Sequence, residues 1–343
     1  MAGKAMFWLE RSVTMIVTVT MNPAIDKTVE ITKLICGGLN RIQRVEYDAG
    51  GKGINVSKTI HELGGESIAT GFLGGNNGKT IANVLQGKGI RCDFVWVEGE
   101  TRTNTKVFED SGELTELNEP GPVITAENLA NLKEKLLEMA GKDTLFVFAG
   151  SIPAGVDKGI YAELISLLKK KGASVLLDAD GETFRKAAES GPNIMKPNRA
   201  ELAEYAGIDY RASEKELTEI AEDFQAKGVE SIVISMGAAG ALFLLGDYRV
   251  KCPALSVKAH SPVGAGDAMV AALAYAWDNK LGNEETVKLC MAVSAGAVTT
   301  IGTKPPSKEV VDILLKQVKI EELGDEDKSS KNVWRKGSET GGV

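Results

Sequence analysis

From residue 120 onward the sequence alternates short β-branched runs with longer amphipathic stretches, and few folds can be written in that rhythm. The spacing predicts helices over 126–140, 158–171, 199–206 and 213–227, and strands over 144–149, 174–178 and 231–235. An apolar run from 263 to 277 leads into a helical C-terminal third. Upstream, the β-branched run 15–20 ends at Asn22-Pro23 and reads as a buried first strand. A helix over 56–63, a strand over 67–72 and a helix over 79–88 follow it. Strands separated by helices of roughly 10–15 residues imply a parallel, doubly wound sheet. Ligands of such sheets bind beyond the carboxyl ends of the strands. Asn22, Gly74, Gly150, Asp178 and Gly237 each fall just after a predicted strand, so they are expected along one rim.

Two stretches break the rhythm. Residues 27–47 and 101–116 show short apolar alternation with polar neighbours, and Asp110-Ser111-Gly112 suits a hairpin turn. They predict a small sheet apart from the main one.

Composition removes several classes of function. The chain of 343 residues is 43% apolar and 25% charged, enough for two average domains or for one large α/β domain with an insertion. A net charge of −7, with no basic run interleaved with aromatics, argues against nucleic acid. No apolar stretch approaches the roughly 20 residues of a membrane span. Cys36, Cys92, Cys252 and Cys290 are scattered, with no Cys-x-x-Cys, and read as reduced thiols of a cytoplasmic protein. With only His61 and His260, neither a histidine metal site nor a Ser-His-Asp triad assembles readily. The two ends, 1–14 with Glu10 and Arg11 beside Phe7, Trp8 and Leu9, and the polar 324–343, are expected to lie outside the fold.

The chemistry is concentrated in two glycine-rich elements. Ser261-Pro262-Val263-Gly264-Ala265-Gly266-Asp267 runs straight into an apolar helix. Bare backbone N–H groups at such a helix start make an anion site. Asp267 there is either a base for an attacking hydroxyl or merely a helix cap. The second element, Gly50-Gly51-Lys52-Gly53-Ile54-Asn55, combines backbone amides and a lysine suited to phosphate with an asparagine suited to sugar hydroxyls. No dinucleotide fingerprint follows the first strand. Gly74-Gly75-Asn76-Asn77-Gly78-Lys79-Thr80 is one residue short of a Walker A loop and is better read as the start of a helix.

In this order the two elements resemble the two signatures of the ribokinase-like, phosphofructokinase-B family of carbohydrate kinases, over about residues 15–323. Ser261-Pro262 stands where many members carry Asp-Thr. The resemblance implies a doubly wound, mainly parallel sheet flanked by helices, over 15–27, 48–100 and 117–323. A β lid over 28–47 and 101–116 would cover the substrate and pair with a second subunit. It implies ATP and Mg²⁺ as cofactors, with Asp267 as catalytic base and Gly264, Ala265 and Gly266 as the anion hole. Asn198-Arg199-Ala200-Glu201 matches the family's Asn-x-x-Glu, with Glu201 holding magnesium through water; a helix cap with its capping-box glutamate is the plainer reading of the same residues. Lys196 and the loop with Ser235, Gly237 and Gly240 would bind the nucleotide, with 292–295 near the adenine.

On the acceptor side the resemblance points to Asp26, Gly50, Gly51, Lys52, Asn55 and Ser151, with Arg102, Lys106 and Asn40-Arg41 bringing positive charge from the lid. Lys52, Arg102 and Lys106 in one neighbourhood suggest a substrate that is already phosphorylated. Within the family, Val-Thr-Met-Asn-Pro-Ala-Ile-Asp (19–26), Thr-Glu-Leu-Asn-Glu-Pro-Gly-Pro (115–122) and Lys196-Pro197-Asn198 are most similar to the branch acting on fructose 1-phosphate. A kinase for tagatose 6-phosphate or fructose 6-phosphate is the alternative. A non-catalytic sugar-phosphate sensor and a nucleoside kinase are the other two readings.

Overall fold

A computed structural model describes residues 14–260 and 263–323. Ser261, Pro262 and the expected tails lie outside the described residues, apart from Thr14, whose hydroxyl bonds the Asp278 carboxylate. In chain order the strands are β1 (Met15–Thr20), β2 (Ala24–Ile31), β3 (Arg44–Gly50), β4 (Ile68–Gly74), β5 (Arg91–Cys92), β6 (Val95–Val97), β7 (Arg102–Glu109), β8 (Leu114–Asn118), β9 (Thr144–Ala149), β10 (Ser174–Asp178), β11 (Ile194–Met195), β12 (Ser231–Ser235), β13 (Ala241–Leu245), β14 (Tyr248–Cys252) and β15 (Glu321–Glu322). The helices are α1 (Lys52–Glu62), α2 (Gly75–Gly87), α3 (Ala126–Met139), α4 (Ile160–Lys170), α5 (Gly181–Ala188), α6 (Arg199–Ala206), α7 (Glu214–Ala226), α8 (Ala265–Asp278), α9 (Asn283–Ala297) and α10 (Lys308–Leu315).

The main sheet runs β15-β14-β13-β12-β11-β10-β9-β1-β4-β5, with β6 also on β4. It is parallel from β12 to β5 and antiparallel from β12 to β15. Alternation along the strands feeds two cores. Ile16, Leu145, Val147, Leu176 and Val233 face α1, α8, α9 and α10. Val17, Val19, Phe146, Phe148, Val175 and Leu177 face α3 to α7. A strand buried on both faces must be apolar at nearly every position, which is why these strands read as continuous runs.

The small sheet runs β3-β2-β7-β8. It is wider than the expected lid: β2 starts at Ala24, β3 ends at Gly50, and β8 reaches Asn118. Asp26 therefore belongs to this sheet rather than to the rim of the main one. The register pairs Asp26 with Asp48 and with Asn104, so even-numbered residues of β2, β3 and β7 share a face. A cleft of about 350 Å³ lies between that face and the main body, lined by Thr28, Glu30, Phe108, His260 and Gly302 among others. The opposite face buries Ile25 and Ala49 against α1 and α2 at one end and carries a small apolar cluster, Val29, Ile31 and Val107, towards the other. Alternation missed α5, the two-residue β11, and the β13–β14 hairpin, which falls in a stretch after 240 to which the pattern assigns no element.

Candidate active site

The ends of β1, β4, β9, β10 and β12 lie along one edge of the parallel sheet. Gly74 and Asp178 are the last residues of β4 and β10, and the other expected rim residues lie just past their strands. Above that edge α8 begins. Gly264, at φ 88°, is its N-cap, and no side chain caps the helix. Asp267 sits in the first turn, two residues past Ala265, so it is not the cap. Its carboxylate instead accepts a 2.8 Å hydrogen bond from Asn55 Nδ2 on α1. The first-turn N–H groups of α8 have no partner within the helix and form an electropositive cradle beside this carboxylate.

Burial pushes the Asp267 carboxyl up to about 6, with the charge of Asp178 adding to it. Lys52, the Asn55 hydrogen bond and Lys196 pull the other way. Asp178, at the end of β10, is the centre of this charge cluster. Its two oxygens take Lys196 at 3.2 Å and Lys52 at 3.6 Å. Burial alone would raise Asp178, but the two ammonium groups outweigh it and its pKa is lowered. Asp178 in turn raises Lys52. Lys196 is buried, and its Nζ lies 3.5 Å from where a Cβ on Gly266 would stand, against the start of α8. Sequence reading puts Asp178 on the rim but gives it no task; a strand-terminal carboxylate has no signal until its two lysines, from α1 and from the loop before α6, arrive in space.

Asn198 and Glu201 form a capping box on α6. Asn198 Oδ1 accepts from the Glu201 N–H and Glu201 Oε2 from the Asn198 N–H, each at 2.8 Å. The cap is real, and it uses one of a carboxylate's roughly four acceptor positions. Burial raises the Glu201 pKa. An isolated bridge between Asn198 and Ser235 brings the α6 cap beside the loop after β12. Gly240 of that loop is sterically required, because a Cβ there would overlap the Cys252 carbonyl oxygen. Gly237 opens the short 3₁₀ turn between them. In α9, Ala292 is buried and Ser294 Oγ donates to the Ala265 carbonyl at 3.1 Å.

On the acceptor side, Asp26 Oδ2 pairs with Lys106 Nζ at 3.2 Å, both buried. Gly50 lies so close to the same oxygen that any Cβ would overlap it. Gly51 is the N-cap of α1, which carries Lys52 and Asn55. Arg102 reaches the Asn22 carbonyl at 3.0 Å, the Glu119 carbonyl at 3.1 Å and Ser151 Oγ at 3.4 Å. The structure does not bring Asn40-Arg41 to this site within the chain: Asn40 holds its own loop through Ile35, and Arg41 is exposed. The near-Walker segment is the start of α2, with Lys79 exposed.

Sequence reasoning also passes over Lys58. It is buried on α1 and donates to the Ala49 carbonyl at 2.7 Å, beneath the Gly50-Gly51 turn. Burial holds its pKa down to about 8. The unfolded chain therefore binds more protons between pH 8 and the ordinary lysine value of 10.5, and stability rises with pH across that window. The wild-type unfolding free energy minus that of Lys58→Met is expected to rise by on the order of 3 kcal/mol from pH 7.5 to 10.5. Denaturant titrations at several pH values measure it, and a flat difference would refute the buried charge.

The family model for "pfkB family carbohydrate kinase" matches residues 14–310. The 1-phosphofructokinase of Rhodobacter capsulatus is 36% identical over 310 residues, spanning 90% of this chain and 98% of that protein. The 1-phosphofructokinase of Vibrio cholerae is 32% identical over 314 residues, spanning 90% and 97%. Among solved structures, phosphofructokinase-2 from Escherichia coli in complex with substrates and products superposes with a TM-score of 0.84 at 27% identity, covering 88% of this chain and 99% of that one. The same protein is also solved in a tetrameric inhibited form, with a TM-score of 0.82 at 26% identity over 89% and 99%.

Proposed function

The chain belongs to the pfkB family of carbohydrate kinases, and from that premise we propose that this sugar-phosphate kinase moves the γ-phosphoryl group of ATP to a free hydroxyl of fructose 1-phosphate, giving fructose 1,6-bisphosphate and ADP. The observation that carries the reading is Asp267: a buried carboxylate, raised to about 6, on the uncapped first turn of α8 with Lys196 beside it. The acceptor oxygen attacks the γ-phosphorus, the bond to the departing ADP oxygen breaks, and the hydroxyl proton passes to Asp267. The amides of Gly264, Ala265 and Gly266 take the charge that develops on the phosphoryl oxygens. Lys196, Asn198, Glu201, Ser235, Gly237 and Gly240 would line the nucleotide side, with 292–295 near the adenine. Asp26, Gly50, Gly51, Lys52, Asn55, Arg102, Lys106 and Ser151 would line the acceptor side.

Among the described residues no group of three or more His, Cys, Asp or Glu forms a metal cage. That suits magnesium, which keeps most of its waters and binds through one or two carboxylates plus phosphate oxygens. Glu201, with acceptor capacity beyond its cap, would hold it through water. When bound, magnesium supplies charge neutralisation on the ATP phosphates. The names of the relatives favour fructose 1-phosphate, and the cations Lys52, Arg102 and Lys106 favour an acceptor that carries a phosphate over a nucleoside.

A coupled ADP-release assay across fructose 1-phosphate, fructose 6-phosphate, tagatose 6-phosphate, free fructose, ribose and adenosine tests this. Highest kcat/KM on fructose 1-phosphate is expected. Preference for a 6-phosphate would move the substrate to the alternative, and activity confined to neutral sugars would overturn the argument from the cations.

The outer face of the lid presents exposed Val45, Tyr47 and Leu117 around its small apolar cluster. A second copy of the chain would cover it, giving a homodimer through the lid. Light scattering at micromolar concentration is expected to return twice the chain mass, and Tyr47→Glu to halve it; a monomeric wild type would remove the proposal. No helix among the described residues is long and apolar enough to cross a membrane. Free Cys36, Cys92, Cys252 and Cys290 support a reducing, cytoplasmic setting.

A further inference from the structure

The inner face of the lid holds a polar group to which the reaction above gives no role. Alternation along β7 puts Arg102, Asn104 and Lys106 on one face, with Asp26 directly across from Asn104 and Thr28 across from Lys106. The two cations are committed: Lys106 to Asp26, and Arg102 to two backbone carbonyls and Ser151. Asn104 lies between them, and its side-chain oxygen Oδ1 is buried with no hydrogen-bond partner. Across the strand pair the buried Thr28 hydroxyl is also unpartnered, as is Asn55 Oδ1 on α1. A buried acceptor left unpaired costs about 1–3 kcal/mol. Three such atoms from separate elements are therefore a polar surface awaiting a ligand.

The chemistry of the unpartnered Oδ1 selects which part of a ligand that atom meets. An amide oxygen only accepts, and so does an ionised phosphate oxygen, so the two do not pair. A sugar hydroxyl donates. We propose that Asn104 is a specificity-determining contact, accepting a hydrogen bond from a hydroxyl of the sugar acceptor while Arg102 and Lys106 lie on either side of it. This rests on the sugar-phosphate reading above and deepens it. A site that pairs with a hydroxyl discriminates against the analogue lacking it, because the buried partner is then left alone.

The test compares wild type with Asn104→Leu, similar in size but without an acceptor, and with Asn104→Ala should leucine not fit. Steady-state KM and kcat are measured for fructose 1-phosphate, for a series of its monodeoxy analogues, and for ATP. Asn104→Leu is expected to raise KM for the sugar about tenfold, with KM for ATP and the melting temperature unchanged. One deoxy analogue is expected to be a poorer substrate than fructose 1-phosphate for wild type, and equal to it for the variant. An unchanged sugar KM, a parallel rise in KM for ATP, or a deoxy penalty that persists in the variant would each overturn the assignment. Should wild type use only an unphosphorylated sugar, the phosphate reading fails, and the same comparison run on that sugar still decides Asn104.

Discussion

Replacing Asp267 with asparagine lowers kcat by about 10²–10⁴-fold, the range a positioned general base contributes, while ATP affinity stays near that of wild type. The substitution preserves shape and the contact to Asn55 on α1 but removes the atom that takes the acceptor's proton. ATP affinity is spared because the proposed nucleotide contacts arise from α6 and the loop after β12, not from Asp267. Single-turnover measurement separates the two effects: binding of a fluorescent ATP analogue should be unchanged while phosphoryl transfer collapses. Near-normal turnover would show that another group accepts the proton. The pH profile gives an independent reading. Because the base must be ionised and its pKa is raised to about 6, kcat/KM of wild type falls as pH drops through about 6. An ordinary exposed aspartate would keep its activity some two units lower.

The second large effect is at Asp178. Asn in its place leaves Lys196, buried, and Lys52, a third exposed, without the charge between them. Breaking a buried pair on one side costs about 3–5 kcal/mol, so Asp178→Asn is expected to lower the unfolding free energy by about that much in urea titration. The same change acts on Asp267. Asp178 raises the Asp267 pKa while Lys52 and Lys196 lower it. With the carboxylate gone and both ammonium groups retained, Asp267 ionises more readily and the acid limb of kcat/KM moves below 6. A destabilised variant whose acid limb stays at 6 would assign Asp178 to folding alone. A variant of wild-type stability would deny the charge cluster altogether.

Much of this protein is legible in the order of its residues. Local pattern is enough for strands buried on both faces and for the helices between them, because burial dictates an apolar residue at nearly every inner position of 144–149, 174–178 and 231–235. Two glycine elements in fixed order mark where backbone amides are bare, and with the family resemblance they point to phosphoryl transfer. The division of labour among the side chains is decided only in three dimensions. Asp267 as a first-turn residue rather than a cap depends on where α8 starts. Asp178 matters because α1 and the loop before α6 deliver lysines to it from 126 residues upstream and 18 downstream in the sequence. Asp26 joins the lid rather than the core because β2 begins at Ala24, and Asn104 gains meaning from the residue across the strand pair. A sequence states its local periodicity directly. Which charges stand within a few ångströms of one another, and so which carboxylate is free to take a proton, is set by contacts between elements far apart along the chain.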